Sequence, residues 1–306
     1  MSVHQTTAAR DRSPAHPAPA DLAADVGKRA DSRLRRSLPA SVALHGTLIA
    51  TSVIALFPIL WIAVSALKPG DHWQHPGDFS GLSLDNFSQV LGHTDFLIWF
   101  RNSLIISIGT MVLSVFIAAT AGYAVSRMRF PGHRGLMWSF LIVQMFPIAV
   151  LIVPLYNLMA AFHLLDSYYG LIIAYSTTAV PFCAWMLKGY FDSIPVEIDE
   201  AGRVDGLSPF GSFWRLILPL AKPGLAVTAF YSFLTAWAEV AFALTFLQSQ
   251  GKFTLAVGMR TWVGQYEAQW GLMTAASVLI AIPAAALFLL VQRNLVAGLT
   301  AGGTKG

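Results

Sequence analysis

The sequence predicts an all-α integral membrane protein with six transmembrane helices. Hydrophobic side chains make up 55% of the 306 residues and charged side chains 12%, about half the charged fraction of an average soluble domain. The mean hydropathy is +0.59. Long apolar runs recur along the chain, and each is long enough to cross about 30 Å of hydrocarbon as a helix. These three observations define the fold class.

Six apolar runs predict the individual spans. Each holds about 20 or more mostly apolar residues, the length that a transmembrane helix requires. None alternates strictly between polar and apolar positions, so the pattern favours helices over the strands of a β-barrel. We assign residues 41–298 to this six-span domain. The runs are 42–67, 103–126, 135–161, 169–190, 224–247 and 271–291.

Lysine and arginine predict the orientation of the spans. If both termini and the segments 127–134 and 188–222 lie on one side of the membrane, that side holds 16 of the 20 basic residues. The positive-inside rule makes this side cytoplasmic. Residues 1–40 contain few large apolar side chains and cannot offset the entropy of ordering, so we expect a disordered cytoplasmic extension. The first run is too long for the apolar core of a secretory signal and should be retained as a span.

The sequence lacks the motifs of common catalytic classes. It has no G-x-x-x-x-G-K-[ST] loop for nucleotide phosphates, no H-E-x-x-H zinc motif and no G-x-S-x-G nucleophile motif. Cys183 is the only cysteine, which excludes an intrachain disulfide and a cysteine-cluster metal site. The net charge of +4 follows from the basic flanks of the spans, so it does not indicate nucleic-acid binding. We expect a protein that is not an enzyme and has no cofactor or metal of its own.

A polar insert separates the fourth and fifth apolar runs. Residues 197–220 read EIDEAGRVDGLSPFGSFWRLILPL. A serine and a proline at 193–195 offer a cap and a first-turn proline, and the acids that follow suit a helix N-terminus. Gly206 can end the helix in the left-handed conformation, and Ser208 can cap a second helix. We predict a helix of about 11 residues, a tight turn and a second short helix on the cytoplasmic surface.

Two interpretations of the first of these helices are open from the residues alone. A helix that rests on lipid headgroups should line its polar face with Lys and Arg. Here Glu197, Glu200 and Arg203 share the polar face, which is mostly acidic and would be repelled by acidic lipids. Docking into a groove of a partner protein fits this charge better. The small Ala201-Gly202 pair would let the partner approach the backbone closely.

The insert resembles the EAA loop of the permease subunits of type I ABC importers. The family pattern is E-A-A, a glycine after three further residues, and an I-x-L-P ending. Asp205 gives the common Asp-Gly variant, whereas Gly202 replaces the second alanine at a cost in helix propensity of up to about 1 kcal/mol. The residues that match the pattern are Glu200, Ala201, Gly206, Ile217, Leu218 and Pro219.

The resemblance covers most of the chain from the first span onward. MFPIAVLIVPLYNL at 145–158 is similar to the third span of the carbohydrate-importing branch, and AWAEVAFALTFL at 236–247 to its fifth span, with Ala238 where Asn is usual. The ending RNLVAGLTAGGTKG at 293–306 resembles the C-terminus of the second permease subunit of maltose importers.

The resemblance implies the type I permease fold and a coupling role for the insert. In such importers the EAA helix sits in a cleft of a separate ATPase subunit and converts closure of the ATPase dimer into rearrangement of the spans. ATP and Mg would then belong to that dimer, which agrees with the missing phosphate loop. Within the loop 192–222 we carry this role over to Glu200, Ala201, Gly202, Asp205 and Gly206. The cytoplasmic tail, residues 299–306, would either make a second ATPase contact, through Thr300, Gly302, Gly303 and Lys305, or fray, as glycine-rich termini usually do.

The resemblance also implies further partners. A homologous permease would form the other half of the translocation pathway, and an extracytoplasmic solute-binding protein would deliver a sugar. The loop 248–270 lies where this subunit probes the binding protein. The assembly would sit in the plasma membrane of a prokaryote, with both termini of this chain in the cytoplasm.

Three polar residues within the apolar runs are candidates for the translocation path: Glu239, Gln144 and Asn157. A charge such as that of Glu239 costs about 2.5 to 3.5 kcal/mol at a span centre on insertion scales, so it should face the bundle or water. It could serve gating or coupling, or it could form a structural hydrogen bond to a neighbouring helix through Gln144 or Asn157. Both interpretations stay open.

The sequence therefore predicts a permease subunit of an ATP-driven importer of maltose, a maltodextrin or a related α-glucoside. An ion-coupled secondary transporter is one alternative, but it should show paired broken helices in two related halves, and no internal repeat is visible. An intramembrane enzyme is the other. It would need a nucleophile and a base, and Glu239 has no His or second carboxylate near it in sequence.

Overall fold

The computed structural model describes residues 38–68, 81–264 and 269–303, and these are mostly helical. The first apolar run forms α1, Leu38–Ala66. Most of the predicted N-terminal extension, residues 1–37, lies outside the described residues. Its last three residues already belong to α1.

Three long helices form the centre of the bundle. A short helix α2, Asp85–Gly92, precedes α3, Phe96–Arg127, and α3 packs along α6, Tyr168–Ser193. Helix α10, Lys222–Trp237, packs against both. A Cβ built on Gly122 of α3 would lie 3.1 Å from the Ala184 carbonyl oxygen, so a side chain here would push α3 and α6 apart by a few tenths of an ångström.

The third apolar run is not one straight span. It forms α4, His133–Gln144, and α5, Ile148–Ala161, which meet at an angle of 108°. Pro147 precedes α5 with ψ 135°, and a proline both lacks an N–H and disfavours helical geometry at the residue before it. The prediction of a single helix over 135–161 is therefore wrong in this respect. Pro154 and Pro181, in contrast, lie inside unbroken helices.

The fifth apolar run is broken as well. Helix α10 ends at Trp237, residues 238–240 leave the helix, and α11, Ala241–Phe246, begins after them. The prediction of a continuous span over 224–247 is wrong there. At the N-terminal end of α10, the segment Pro209–Leu220 meets this helix at an angle of 82°.

The last apolar run forms α13, Trp270–Gly303, which extends well beyond the predicted 271–291. It packs against α2 and α10. Within the described residues, α1, α3, α6 and α13 are each long and apolar enough to cross a membrane, and counting each bent pair as one span gives up to six. The predicted all-helical membrane fold is confirmed, with up to six spans when each bent pair is counted as one.

Candidate functional site

The polar insert folds into a helix, a turn and a second helical segment. Helix α7, Glu197–Val204, has 8 residues and is shorter than predicted. Its predicted start is wrong, because Ser193 is the last residue of α6 and its hydroxyl donates to the Tyr190 carbonyl oxygen at 2.6 Å. The chain then takes an extended conformation at Ile194 before α7 begins.

The end of α7 follows the predicted chemistry. Gly206 has φ +82°, the left-handed conformation that glycine adopts without steric cost. The N–H of Leu207 donates to the Gly202 carbonyl oxygen at 2.9 Å, which closes the helix end. The Ser208 hydroxyl accepts from the Gly211 N–H at 3.1 Å and caps the segment Pro209–Leu220 as predicted. That segment consists of α8, Pro209–Ser212, a π-helical turn, Phe213–Ile217, and α9, Leu218–Leu220.

Helix α7 presents its acidic side to the exterior. Glu200, Ala201, Asp205 and Gly206 are exposed. These four of the five predicted coupling residues form one accessible surface together with the exposed Glu197, Arg203 and Val204. The geometry suits docking of the helix against another surface, because the side chains that would meet a partner are not used in internal packing.

Gly202, the fifth predicted coupling residue, faces the other way. It is buried, and a Cβ at this position would lie 2.7 Å from Leu216 Cδ1 and 2.8 Å from Ser212 Oγ. The absence of a side chain therefore serves packing of α7 on the segment Pro209–Leu220. The expectation that Gly202 lets a partner approach is not supported by this placement.

A buried ion pair under α7 was missed by the sequence analysis. Asp199 faces inward, and its Oδ2 accepts from Arg127 Nε of α3 at 2.8 Å. Tyr123 donates its hydroxyl proton to Asp199 Oδ1 at 2.7 Å. Arg127 Nη2 donates to the Ile194 carbonyl oxygen at 2.7 Å. The charges are thus compensated and hydrogen-bonded, which is what burial of two ions requires.

A cavity of about 520 Å³ opens beside the two helix breaks, and Glu239 and Gln144 both line it. Its walls come from α4, α5, α6, α10 and α11 and are mostly apolar. Further polar groups in the wall are Thr177, Thr178, Tyr231 and Thr235. Asn157, the third predicted path residue, is exposed on α5 and does not line this cavity.

Glu239 makes hydrogen bonds that the sequence analysis did not anticipate. Its Oε1 accepts from the Phe242 N–H at 2.9 Å and its Oε2 from the Ala243 N–H at 3.3 Å. The carboxylate therefore caps the start of α11, where the helix dipole favours negative charge. Gln144 instead donates to the Thr178 carbonyl oxygen at 2.9 Å. The predicted pairing of Glu239 with Gln144 or Asn157 is not among these bonds.

Asp166 organises the other end of the bundle, where the chain enters α6. It accepts from the backbone N–H groups of Gln248 and Ser249, both at 3.0 Å, and pairs with Lys252 Nζ at 3.0 Å. The Ser249 hydroxyl donates to it at 2.6 Å. Burial of the carboxylate opposes ionisation, but the bonds from Ser249, Gln248 and Lys252 outweigh it and hold the pKa of Asp166 well below its ordinary value.

The buried Asn102 of α3 anchors the same loop that Asp166 holds at Gln248 and Ser249. Its Nδ2 donates to the carbonyl oxygens of Gly251 and Phe253 at 2.9 and 3.0 Å, and the Tyr168 hydroxyl donates to its Oδ1 at 2.7 Å. The loop predicted to face a binding protein, 248–270, is thus anchored at its start. It contains helix α12, Leu255–Arg260, and its residues 265–268 lie outside the described residues.

Two further predictions concern the tail and metals. Thr300, Gly302 and Gly303 belong to the last turns of α13, and Lys305 lies outside the described residues. In the part of the chain that the structure describes, no group of three or more His, Cys, Asp or Glu side chains is placed to hold a metal ion.

Comparison with known proteins identifies relatives over most of the chain. Residues 112–300 match the family described as "Binding-protein-dependent transport system inner membrane component". The maltodextrin transport system permease protein MdxG of Bacillus subtilis is 38% identical over 83% of this chain and 92% of its own. The maltodextrin transport system permease protein MalD of Streptococcus pneumoniae is 34% identical over 90% of this chain and 98% of its own.

The fold is shared with a solved importer. A chain of the crystal structure of a bacterial ABC transporter involved in the import of the acidic polysaccharide alginate superposes with a TM-score of 0.71. The two chains are 23% identical, and the match covers 85% of this chain and 98% of the other.

Proposed function

The chain belongs to the family of binding-protein-dependent transport system inner membrane components and is a permease subunit of an ABC importer, and we propose that it carries maltose, a maltodextrin or a related α-glucoside. It is a transport component of the membrane and not an enzyme. Family membership decides against the ion-coupled transporter and the intramembrane enzyme that the residues alone had left open.

The exposed side of α7 is the observation that supports coupling to a separate ATPase. Glu200, Ala201 and Asp205 project from a short helix whose opposite side is tightly packed, so a groove in a partner protein can enclose them without disturbing the fold. Closure of an ATPase dimer around bound ATP and Mg would then bias the spans through this helix. The cytoplasmic tail, residues 299–306, would make a second contact.

The cavity beside Glu239 is the proposed part of the translocation path in this chain. Its mostly apolar wall and few convergent polar groups are typical of small-molecule sites, and a carboxylate or amide oxygen can accept from the hydroxyl groups of a sugar. A homologous partner permease would supply the facing half of the path. The loop that Asp166 and Asn102 hold would meet a solute-binding protein on the extracytoplasmic side.

The cargo proposal rests on the two relatives above, whose names specify maltodextrin. The test is uptake of labelled maltotriose into proteoliposomes that contain this chain, its partner permease and its ATPase, with the binding protein outside and ATP inside. We expect uptake that requires ATP and binding protein and that unlabelled maltose and maltodextrins compete away. Competition by an unrelated sugar alone would overturn the cargo, and uptake that persists without ATP would overturn the ATP-driven mechanism.

A further inference from the structure

The buried ion pair between Arg127 and Asp199 joins two elements that are far apart in sequence. The side chains are 5% and 3% exposed, and Arg127 Nε lies 2.8 Å from Asp199 Oδ2. Tyr123 occupies the other carboxylate oxygen at 2.7 Å. Among the described residues, the other acids of α7 are exposed and make no comparable contact with α3. The pair is thus the polar link between the outward-facing helix and the long helix behind it.

The position of each charge matches the helix that carries it. Arg127 is the last residue of α3, where the helix dipole favours a positive charge, and Asp199 lies in the first turn of α7, where it favours a negative one. Aromatic packing holds Tyr123 in place, since its ring lies 4.8 Å from that of Phe213 and 6.0 Å from that of Phe191. With 5% and 3% of the two charged side chains exposed, the link is largely shielded from water, which strengthens it.

The covalent connection of α7 to the spans is held by the same arginine, because Arg127 Nη2 donates to the carbonyl oxygen of the buried Ile194 at 2.7 Å. Residues 194–196 link α6 to α7, and Ile194 has the extended conformation with φ −83° and ψ 128°. Without that bond, a linker of three residues could absorb a change in helix direction through its own dihedral angles. The ion pair cannot do so, because any rotation that separates its partners leaves two charges in a dry environment.

We propose that the Arg127–Asp199 ion pair, held by Tyr123, is the joint through which α7 moves α3 during the transport cycle. The proposal rests on the proposed coupling function and assigns a mechanical route to it. Arg127, Asp199 and Tyr123 act as positioning residues and touch neither cargo nor nucleotide. Force applied to the exposed side of α7 is transmitted to the second span as a rigid displacement.

The first test measures whether α7 and the end of α3 move as one body. Cysteines replace Glu197 in the first turn of α7 and Met128 next to Arg127, both accessible positions, while the native Cys183 is fully buried. Spin-label distances are recorded in the assembled importer without nucleotide and with ATP. We expect the same distance in both states with the ion pair intact. A distance that changes between the states overturns the joint, and this measurement does not depend on any variant of the pair.

The second test separates a coupling role from a structural one by comparing sugar uptake per ATP hydrolysed. Asp199→Asn retains the shape of the side chain but removes its charge, and we expect it to lower this ratio by about tenfold, within the usual range of coupling effects. The double variant Arg127→Gln with Asp199→Asn restores a neutral hydrogen-bonded pair and should recover part of the ratio. The matched control is Lys188→Gln, which removes the exposed pair of Lys188 with Asp192 and should leave the ratio unchanged.

The outcomes separate this proposal from the proposed function. If the wild-type assembly shows no ATP-driven uptake, the proposed function fails. If the wild type couples and Asp199→Asn keeps the wild-type ratio, the joint is overturned while the function stands. A loss in both Asp199→Asn and Lys188→Gln would also overturn the joint, because a general sensitivity to the loss of ion pairs would then explain the effect.

Discussion

Gly202 illustrates how a single residue can be assigned to the right helix and the wrong face. Its place in the EAA pattern predicts a partner contact, whereas its Cβ direction points at Ser212 and Leu216 inside the chain. A sequence pattern gives the spacing of residues along a short helix, but the direction in which that helix packs is set by tertiary contacts.

Substitution of Gly202 by alanine should therefore destabilise the protein despite the better helix propensity of alanine. Propensity favours alanine by up to about 1 kcal/mol, but the methyl group must displace the fully buried Ser212 hydroxyl, 2.8 Å away, as well as Leu216 Cδ1, 2.7 Å away, at a cost of about 1 to 3 kcal/mol. We expect Gly202→Ala to lower the free energy of unfolding by about 1 kcal/mol. Gly189→Ala is the matched control, because nothing lies within 4 Å of a Cβ there, and it should be neutral or stabilising. Thermal unfolding in detergent would show equal shifts for both variants if the packing argument is wrong.

Asp166 predicts a specific dependence of stability on pH. Its folded-state pKa is lowered, so the unfolded chain takes up the proton first as the pH falls. The stabilisation is complete above the unfolded-state pKa of about 3.9 and is lost progressively below it. We expect Asp166→Asn to be about 2 kcal/mol less stable than wild type at pH 6, with a smaller difference at pH 3.

Thermal unfolding of both proteins between pH 6 and pH 3 checks this expectation. Asp95→Asn is the control, since Asp95 is exposed and its side chain makes no capping bond to α3. It should keep the wild-type pH dependence. A constant difference between Asp166→Asn and wild type across this pH range would contradict the assignment.

At the scale of elements, the sequence located the spans better than it described them. Runs of apolar residues predict which segments enter the membrane, because the requirement for about 20 apolar residues is set by the bilayer and not by neighbours. The same continuity hides the break at Pro147 and the break at 238–240, since both interruptions are themselves apolar or carry a single polar residue. The short helix α7 was recognised through Gly206 and Ser208, whose local chemistry is independent of packing.

The candidate site residues show the same contrast between local sequence signals and features that depend on packing. Asp199 looked like one of several first-turn acids, because its partner Arg127 is 72 residues away and no local pattern connects them. Glu239 was noticed as a charge within an apolar run, but its role as the cap of α11 could not be predicted while the run was taken as one helix. Long-range pairs and unexpected helix ends are the features that a single sequence does not encode locally.

The break at residues 238–240 gives Glu239 two separable roles. As a cap, its removal in Glu239→Ala should cost about 1 to 2 kcal/mol, whereas Glu239→Gln keeps one acceptor oxygen and should cost less. As a group in the translocation path, it should be sensitive to loss of charge, and uptake should fall severalfold in Glu239→Gln. Uptake and thermal unfolding are measured side by side, with Asn157→Ala as a control outside the cavity. If Glu239→Gln shows wild-type uptake, the role of Glu239 is limited to capping α11.

At the scale of the whole molecule, the distribution of basic residues predicts which surfaces face the cytoplasm. Val204 on α7 is 88% exposed and should lie inside the cell, whereas the exposed Gln250 should lie outside. We expect a membrane-impermeant maleimide to label Gln250→Cys in intact cells or right-side-out vesicles, and to label Val204→Cys only after permeabilisation. Labelling of Val204→Cys from outside would invert the proposed topology.

The central claim is that this permease converts ATPase closure into transport through α7. The most direct measurement is binding-protein-stimulated ATP hydrolysis and sugar uptake in the same proteoliposomes, with wild type compared with Gly206→Pro. Proline fixes φ near −65° and cannot adopt the +82° of Gly206, so the end of α7 is disrupted while the spans are untouched. The account predicts normal assembly and joint loss of stimulated hydrolysis and uptake. Unchanged hydrolysis and uptake in an assembled Gly206→Pro importer would contradict it.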